Sequence, residues 1–221
     1  MKSAVVSVEQ LIETSKWRAS LFVGDIRETQ SDRFEMVTLG DVVTESKIAK
    51  DPNEIPYERF YYVGLENVKP ITGEPVGVEL LTSIEVRSRS KLFKKGDILY
   101  GRLRPYLRKA LLVEPPYEDG LCSTEFIVLR AKPAKILPVF LRALLVSSPV
   151  TASIERLQAG AALPRVSSRD LLGIEIPLPP MAFQESCVDR INQLVERRRQ
   201  LAKELSIVFE EEERAISDVF D

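Results

Sequence analysis

The chain has 221 residues, of which 44% are hydrophobic and 29% are charged, a composition typical of a globular protein. It has no histidine and two cysteines, Cys122 and Cys187. These counts exclude a Ser-His-Asp triad, imidazole metal ligands and a thiolate zinc site. Because the cysteines form no pattern, and neither a signal peptide nor a membrane-length apolar run is found, we predict a cytoplasmic protein that does not enter a membrane.

Residues 1–35 are predicted to form an N-terminal helical arm. Ser7 and Gln10 have the spacing of a capping box, in which two side chains satisfy the first free N–H groups of a helix. Val8, Leu11 and Ile12 then follow at helical intervals. A short amphipathic helix is therefore expected at this end of the chain.

Residues 36–180 are predicted to form a compact, mixed α/β domain of the α+β class. Short runs of Val, Ile, Leu, Tyr and Phe alternate there with Gly, Pro, Asp and Asn, as in strands that are joined by turns. The expected strands are residues 60–63, 97–103, 108–113, 123–129 and 172–176. Residues 137–147 have leucines at helical spacing, so a helix is expected there.

Residues 181–221 are predicted to form one long coiled-coil helix, because residues 181–220 contain neither Gly nor Pro. Two series of positions recur every seven residues, which is the pattern of a coiled-coil seam. They are Cys187, Leu194, Leu201, Val208 and Ala215, and Ile191, Arg198, Leu205, Glu212 and Val219. A seam this long needs a second helix, so we predict a dimer interface of Ile191, Leu194, Arg198, Leu201, Leu205, Val208 and Glu212.

The charges on this helix favour an antiparallel partner. Residues 197–199 are arginines and residues 210–213 are glutamates, and the two groups flank Leu205. An antiparallel copy that crosses near Leu205 would place arginines against glutamates in both halves, whereas a parallel copy would place like charges together. The alternative is that both groups form a solvated surface and that the seam packs on a different protein.

The segment 92–109 has the most informative composition. The formal net charge of the chain is -2, but residues 87–109 hold nine Lys and Arg against one Asp. If the segment is extended, alternation places Tyr100, Arg102, Arg104, Tyr106 and Arg108 on one face and Leu99, Leu103 and Leu107 on the other. Guanidinium groups bind phosphates or guanine edges, so this face is predicted to bind nucleic acid. The alternative is a half-buried strand with a solvated basic face.

The predicted DNA-contacting residues come from two parts of the chain. They are Arg102, Arg104, Arg108 and Lys109, then Lys94, Lys95 and Tyr106, and finally Arg165 and Ser167 in a second loop after the small residues 159–162. Any one of these side chains can contact a phosphate without recognising a base. No catalytic residue and no metal ligand is predicted.

Several segments, taken in order, give the chain a resemblance to a known family. They are residues 39–42 (Leu-Gly-Asp-Val), 62–68, the basic segment 93–109, 122–129, and 160–180, which end in Ile-Pro-Leu-Pro-Pro before the long helix. Together they resemble the specificity subunit of type I restriction-modification systems. Members usually have two target-recognition domains and two long helices, whereas this chain has room for one of each and so resembles a half-length form.

The resemblance implies a chain that recognises double-stranded DNA and performs no chemistry. A partner methyltransferase subunit would transfer a methyl group from S-adenosylmethionine to adenine. A partner restriction subunit would cleave DNA with ATP and Mg, so no cofactor is expected in this chain. The sequence agrees, since it has no Asn-Pro-Pro-aromatic motif, and residues 73–77 lack the lysine of a phosphate loop and are expected to form a turn. A homodimer joined by the long helix would recognise a bipartite target with inverted half-sites.

Two other functional classes remain open from the residues alone. Asp25, Glu45 and Lys47 loosely fit the acid-acid-lysine arrangement of Mg-dependent nucleases. In the other class, the helix is a scaffold within an assembly and the basic segment is incidental. Magnesium-dependent nicking that is lost in Glu45→Ala would support the nuclease, and the absence of salt-sensitive DNA binding would support the scaffold.

Overall fold

The computed structural model describes residues 31–51, 59–86, 88–157, 163–217 and 220. Most of the predicted N-terminal arm, together with Asp25 and the small residues 159–162, lies outside these ranges. The chain divides into two compact units, Met1–Pro179 and Pro180–Asp221. The described strands all belong to the first unit, and the long helix makes up most of the second.

The first unit has strands interspersed with short helices. Its described strands are β1 (Glu35–Thr38), β2 (Val43–Ser46), β3 (Ala49–Lys50), β4 (Arg59–Val63), β5 (Glu79–Thr82), β6 (Ser90–Lys94), β7 (Asp97–Gly101), β8 (Ala110–Leu112), β9 (Asp119–Cys122), β10 (Phe126–Ala131) and β11 (Glu175–Leu178). Its described α-helices are α1 (Leu39–Val42), α2 (Pro138–Leu145), α3 (Ser148–Leu157) and α4 (Ser168–Leu172). Leu65–Asn67 and Pro105–Leu107 form single 3-10 turns.

The described strands form three sheets. β1 pairs with β11, a four-stranded sheet has the order β2-β10-β7-β8, and a five-stranded sheet has the order β3-β6-β9-β4-β5. The pairing of β4 with β9 is parallel, whereas the neighbouring pairs in that sheet are antiparallel. Mainly antiparallel sheets with separate helices confirm the predicted α+β class.

The four-stranded sheet lies between two hydrophobic clusters. One of its faces contributes Ile98, Tyr100, Ile127 and Leu129 to a cluster shared with the helices. Its other face contributes Leu99, Phe126 and Val128 to a cluster shared with the five-stranded sheet. Each large apolar side chain buried in this way stabilises the fold by about 1.5–3 kcal/mol. As a result β7 is buried over its whole length.

Some predicted elements differ from the observed ones for local reasons. β4 and α2 confirm the strand at 60–63 and the helix at 137–147. The strand predicted at 172–176 is wrong in its first part, because Ser167 accepts a hydrogen bond from the Asp170 N–H at 3.0 Å and so begins α4. The strand predicted at 123–129 starts only at Phe126, whose N–H donates to the Ser123 carbonyl at 3.0 Å and closes a turn.

The second unit contains α5 (Met181–Ser217), which has 37 residues and is therefore about 55 Å long. The prediction of one long helix after Pro180 is confirmed. Many of its apolar side chains are about half exposed, namely Leu194, Leu201, Leu205, Ile207, Val208, Phe209 and Ile216. Among the described helices, none combines the length and the apolar composition needed to cross a membrane.

Candidate nucleic-acid interface

Residues 102–109 connect β7 to β8, and we call them the 102–109 loop. Arg104 and Arg108 have left-handed backbone conformations, with φ of 50° and 52°, on either side of the 3-10 turn. The Arg108 N–H donates to the Pro105 carbonyl at 2.9 Å, and the Gly101 N–H donates to the Lys109 carbonyl at 2.8 Å. These bonds hold the loop in one compact shape.

The predicted alternation along this segment is wrong. β7 ends at Gly101, and residues 102–109 are not an extended strand but a turn. Tyr100 is 1% exposed and belongs to the helix-side cluster, so it is not on the candidate surface. Arg104 and Tyr106 are exposed, and Arg102 is half-buried. The basic side chains therefore reach the surface because of the turn and not because of a two-residue period.

Residues 163–167 lie directly beside the 102–109 loop. The Arg104 N–H donates to the Pro164 carbonyl at 2.8 Å, and the Val166 N–H donates to the Arg102 carbonyl at 3.0 Å. Leu103 and Arg165 form an isolated antiparallel bridge between the two segments. The structure thus brings together the two parts of the chain from which DNA contacts were predicted.

Arg165 and Ser167 both have partners within the chain. Arg165 forms an ion pair with Glu125, with Nη2 and Oε1 separated by 3.0 Å. Its hydrogen bonds to Glu125 raise the pKa of Arg165 above its ordinary value, because they favour the charged form. The Ser167 hydroxyl donates to the Asp170 carboxylate at 2.8 Å while it caps α4. Both side chains therefore help to fix the 163–167 segment.

Arg108 and Lys109 also have intramolecular partners. Arg108 Nη1 donates to Ser148 Oγ at 3.2 Å, at the start of α3, and Lys109 Nζ donates to the Leu65 carbonyl at 2.6 Å. These bonds anchor the second half of the 102–109 loop. A guanidinium has five N–H donors, so Arg108 can still bind a ligand while it holds Ser148.

Arg102, Arg104 and Tyr106 differ from Arg108, Lys109, Arg165 and Ser167, whose side chains have partners within the chain. The side chains of Arg102, Arg104 and Tyr106 form no hydrogen bond or ion pair with any residue that the structure describes. The Nε atom of Arg102 is buried without a hydrogen-bond partner, which is unfavourable unless a bound group supplies an acceptor. Tyr106 is 47% exposed beside them. These three side chains are available to a ligand.

Lys94 and Lys95 lie at the opposite end of β7 from the 102–109 loop. The two lysines precede Asp97, the first residue of β7, and the loop follows Gly101, the last. A five-residue strand separates these positions by about 15 Å. Lys95 Nζ forms an ion pair with Glu118 Oε1 at 2.7 Å. Their role in DNA binding stays a prediction, and any contact they make is separate from the loop.

The sequence did not single out Lys91 or the turn at residues 69–74. Lys91 Nζ donates to the Phe126 carbonyl at 2.7 Å, and burial lowers the pKa of this lysine. The turn at 69–74 contacts the 102–109 loop, since the Ile71 N–H donates to the Arg108 carbonyl at 3.1 Å. Lys91 lies in the basic stretch 87–109, and Pro70 and Gly73 indicate a turn, but the sequence does not show which residues Lys91 or this turn contacts.

The Glu45 carboxylate, which was considered as part of a nuclease site, is buried and has partners within the domain. The Glu45 side chain is 6% exposed, Ser168 Oγ donates to its Oε1 at 2.8 Å, and Lys47 Nζ lies 3.7 Å from its Oε2. Asp25 lies outside the described residues. Within the described ranges, no group of three or more His, Cys, Asp and Glu side chains could hold a metal ion.

The described residues form an α+β domain and a long helix, and the domain has a surface loop in which Arg102 and Arg104 have no side-chain partner among the described residues. The family model of the type I restriction modification DNA specificity domain matches residues 31–210. The chain therefore belongs to this family, and the resemblance drawn from its motifs is confirmed.

Individual relatives agree with this assignment. The chain is 28% identical over 163 residues to the type I restriction enzyme EcoDI specificity subunit of Escherichia coli, covering 73% of this chain and 34% of the relative. It is 25% identical over 182 residues to the HindI specificity subunit of Haemophilus influenzae, covering 81% and 35%. The crystal structure of the HsdS subunit from Thermoanaerobacter tengcongensis matches with a TM-score of 0.68 and 30% identity, covering 78% of this chain and 44% of that one.

The chain spans 34% and 35% of the length of the two curated relatives. Both relatives are named as specificity subunits of type I restriction enzymes. The family model covers the α+β domain and extends into α5, since its match ends at residue 210.

Proposed function

We propose that this chain recognises duplex DNA as part of a type I restriction-modification specificity subunit, with the 102–109 loop and residues 163–167 as the contact surface. The observation that carries the proposal is the state of Arg102 and Arg104, whose guanidinium groups have no partner among the described residues. The loop that presents them is closed by backbone hydrogen bonds on both sides. Because the backbone of this loop is already fixed, binding a phosphate or a base edge orders only the arginine side chains and not the loop itself.

Arg102→Ala with Arg104→Ala is expected to weaken binding to duplex DNA and to make it less sensitive to salt. Each lost phosphate contact lowers the slope of log K against log salt by about 0.9, so the slope should fall by about 1.8. Fluorescence anisotropy with duplex DNA at several salt concentrations measures both quantities.

Lys94→Ala with Lys95→Ala is the comparison, because it removes the same charge at the opposite end of β7. A smaller effect in this variant would support the loop as the main surface. An equal loss in both variants would contradict the assignment and would indicate a general electrostatic attraction.

Glu125→Gln is expected to strengthen sequence-independent DNA binding. The change removes the negative charge that pairs with Arg165 and keeps the shape of the side chain. Freed from its partner, Arg165 can contact a phosphate, so the salt slope should steepen by about 0.9. The matched control is Glu118→Gln, which removes the partner of Lys95 away from the loop. An unchanged slope in Glu125→Gln would mean that Arg165 does not face DNA.

The proposal includes partners that act on the DNA once it is bound. An adenine methyltransferase subunit would hold S-adenosylmethionine, and an ATP-dependent restriction subunit would hold ATP and Mg, both in the cytoplasm. The chain itself would supply target recognition and no cofactor. Reconstitution with such subunits, followed by mapping of methylated adenines, tests this division of labour, and methylation that does not depend on the chain would contradict it.

The proposal also includes an antiparallel homodimer through α5. Leu194, Leu201, Leu205 and Val208 expose about half of their surface along the predicted seam. A helix with such a face is stabilised by a second helix, and the arginine and glutamate groups on either side of Leu205 suit an antiparallel copy. Two copies would hold two recognition domains and fit a bipartite DNA target. A scaffold that does not bind DNA remains the alternative, and the Arg102 and Arg104 variant distinguishes the two.

A further inference from the structure

Unusual backbone conformations are concentrated at the candidate surface. Among the described residues, the non-glycine residues with positive φ are Arg104, Arg108 and Ile71. The first two flank the 3-10 turn of the loop. Ile71 has φ of 63° and donates its N–H to the Arg108 carbonyl at 3.1 Å. A left-handed conformation is unfavourable for a β-branched residue, because Cβ crowds the backbone, and it persists only where the surroundings impose it.

The Arg142 side chain joins the turn that carries Ile71 to β8, because it donates hydrogen bonds to one backbone carbonyl of each. Arg142 Nη2 donates to the Ile71 carbonyl at 2.6 Å, and Arg142 Nε donates to the Ala110 carbonyl at 3.1 Å. Gly73, at φ of 64°, lies so close to β8 that an added Cβ would be 2.1 Å from the Ala110 carbonyl oxygen. These contacts require a glycine at 73, but they use only backbone atoms of residue 71. Asparagine or glycine would satisfy them at position 71 with less strain.

The Ile71 side chain is not part of the hydrophobic core. It is 56% exposed, and it belongs to neither hydrophobic cluster. It stands on a rigid turn whose N–H contacts the loop of Arg104 and Arg108. An apolar branched side chain has no donor or charge, so it forms no favourable contact with a phosphate. On duplex DNA, the group that suits it is the C5-methyl of thymine, which lies in the major groove.

We propose that Ile71 is a specificity-determining residue that contacts a thymine methyl group when the neighbouring arginines bind the duplex. This inference rests on the proposed function. The arginines fix the position of the protein on the DNA, and Ile71 then distinguishes a thymine from the other bases at one position of the target.

The test starts from duplexes that the wild-type chain selects from a random-sequence library. Ile71→Gly removes the side chain and the strain together, and Ile71→Val keeps a branched apolar group. Ile84→Gly is the control, since Ile84 is 80% exposed on the turn after β5. We expect Ile71→Gly to bind the selected duplex about tenfold more weakly, with an unchanged salt slope and a thermal midpoint no lower than that of the wild type. Ile71→Val and Ile84→Gly should bind as the wild type does.

Replacing thymine by uracil in the selected duplex removes only the methyl group. At one position, this replacement should weaken wild-type binding several-fold and leave Ile71→Gly unaffected. Equal affinities of Ile71→Gly and wild type, or the same loss with uracil in both, would overturn the role of Ile71 and leave the DNA-binding proposal intact. Failure of the wild-type chain to enrich any duplex would overturn the proposed function and this inference with it.

Discussion

Replacing Leu201 and Leu205 by glutamate is expected to convert the proposed homodimer into monomers. The two side chains are 48% and 53% exposed on the seam of α5, and a twofold interface would bury both of them from each copy. Burial of one leucine contributes about 1.5–3 kcal/mol, and a glutamate would in addition lose its hydration. Light scattering at micromolar concentration should show monomers. Affinity for a duplex with two half-sites should fall about 100-fold, because the two domains no longer bind as a unit.

The matched control is Gln193→Glu with Gln200→Glu. It adds two negative charges to the same helix at positions outside both seven-residue series, so the dimer should persist. Helicity measured by circular dichroism should be similar in the two variants. A Leu201→Glu, Leu205→Glu chain that stays dimeric would contradict the seam, and a monomeric wild type would contradict the homodimer.

The direction of pairing can be tested with two charges beside the seam. Arg197 and Glu211 each precede a seam position, Arg198 and Glu212, and such flanking residues face each other in an antiparallel pair. Arg197→Glu and Glu211→Arg should each weaken self-association several-fold, since exposed ion pairs contribute up to about 1 kcal/mol. A mixture of the two variants should form a heterodimer in which both contacts are complementary. No preference for the heterodimer would indicate that the helices pair in parallel or not at all.

The sequence was sufficient to predict elements whose local pattern agrees with their environment. Residues 181–217 form one helix because no Gly or Pro interrupts them and their apolar positions recur on one face. β4 and α2 were predicted for the same reason. In each case the side-chain period and the turn residues at the ends point to the same structure.

The candidate site was predictable only in part, because its geometry depends on distant residues. β7 lies in the middle of three layers and is buried on both sides, so the two-residue period of a surface strand does not apply to it. Arg165 differs from Arg102 and Arg104 because it is paired with Glu125. Glu125 is remote from Arg165 in sequence, so the sequence does not indicate this pairing. The left-handed turns at Arg104 and Arg108 have no glycine to indicate them.

Arg130→Ala is expected to destabilise the first unit, because it leaves the Asp97 carboxylate buried without its cation. Asp97 is 0% exposed at the start of β7 and accepts hydrogen bonds from Arg130 at 2.8 and 2.9 Å and from the Lys94 N–H at 2.9 Å. Removing one partner of a buried ion pair costs about 3–5 kcal/mol. Since Arg130 itself is half exposed, we expect about 3 kcal/mol, or a fall of roughly 6–12 °C in the thermal midpoint.

Asp97→Asn should cost less than Arg130→Ala, about 1–2 kcal/mol. The amide keeps the shape of the side chain and can still accept the Lys94 N–H, and the half-exposed Arg130 can turn to water. The double variant, Asp97→Asn with Arg130→Ala, has no buried carboxylate without a cation, so it should be more stable than Arg130→Ala alone. A double-mutant cycle measured by urea unfolding should give a coupling energy of about 1–3 kcal/mol. Additive effects would mean that the two side chains stabilise the start of β7 independently, by packing rather than by their mutual charge.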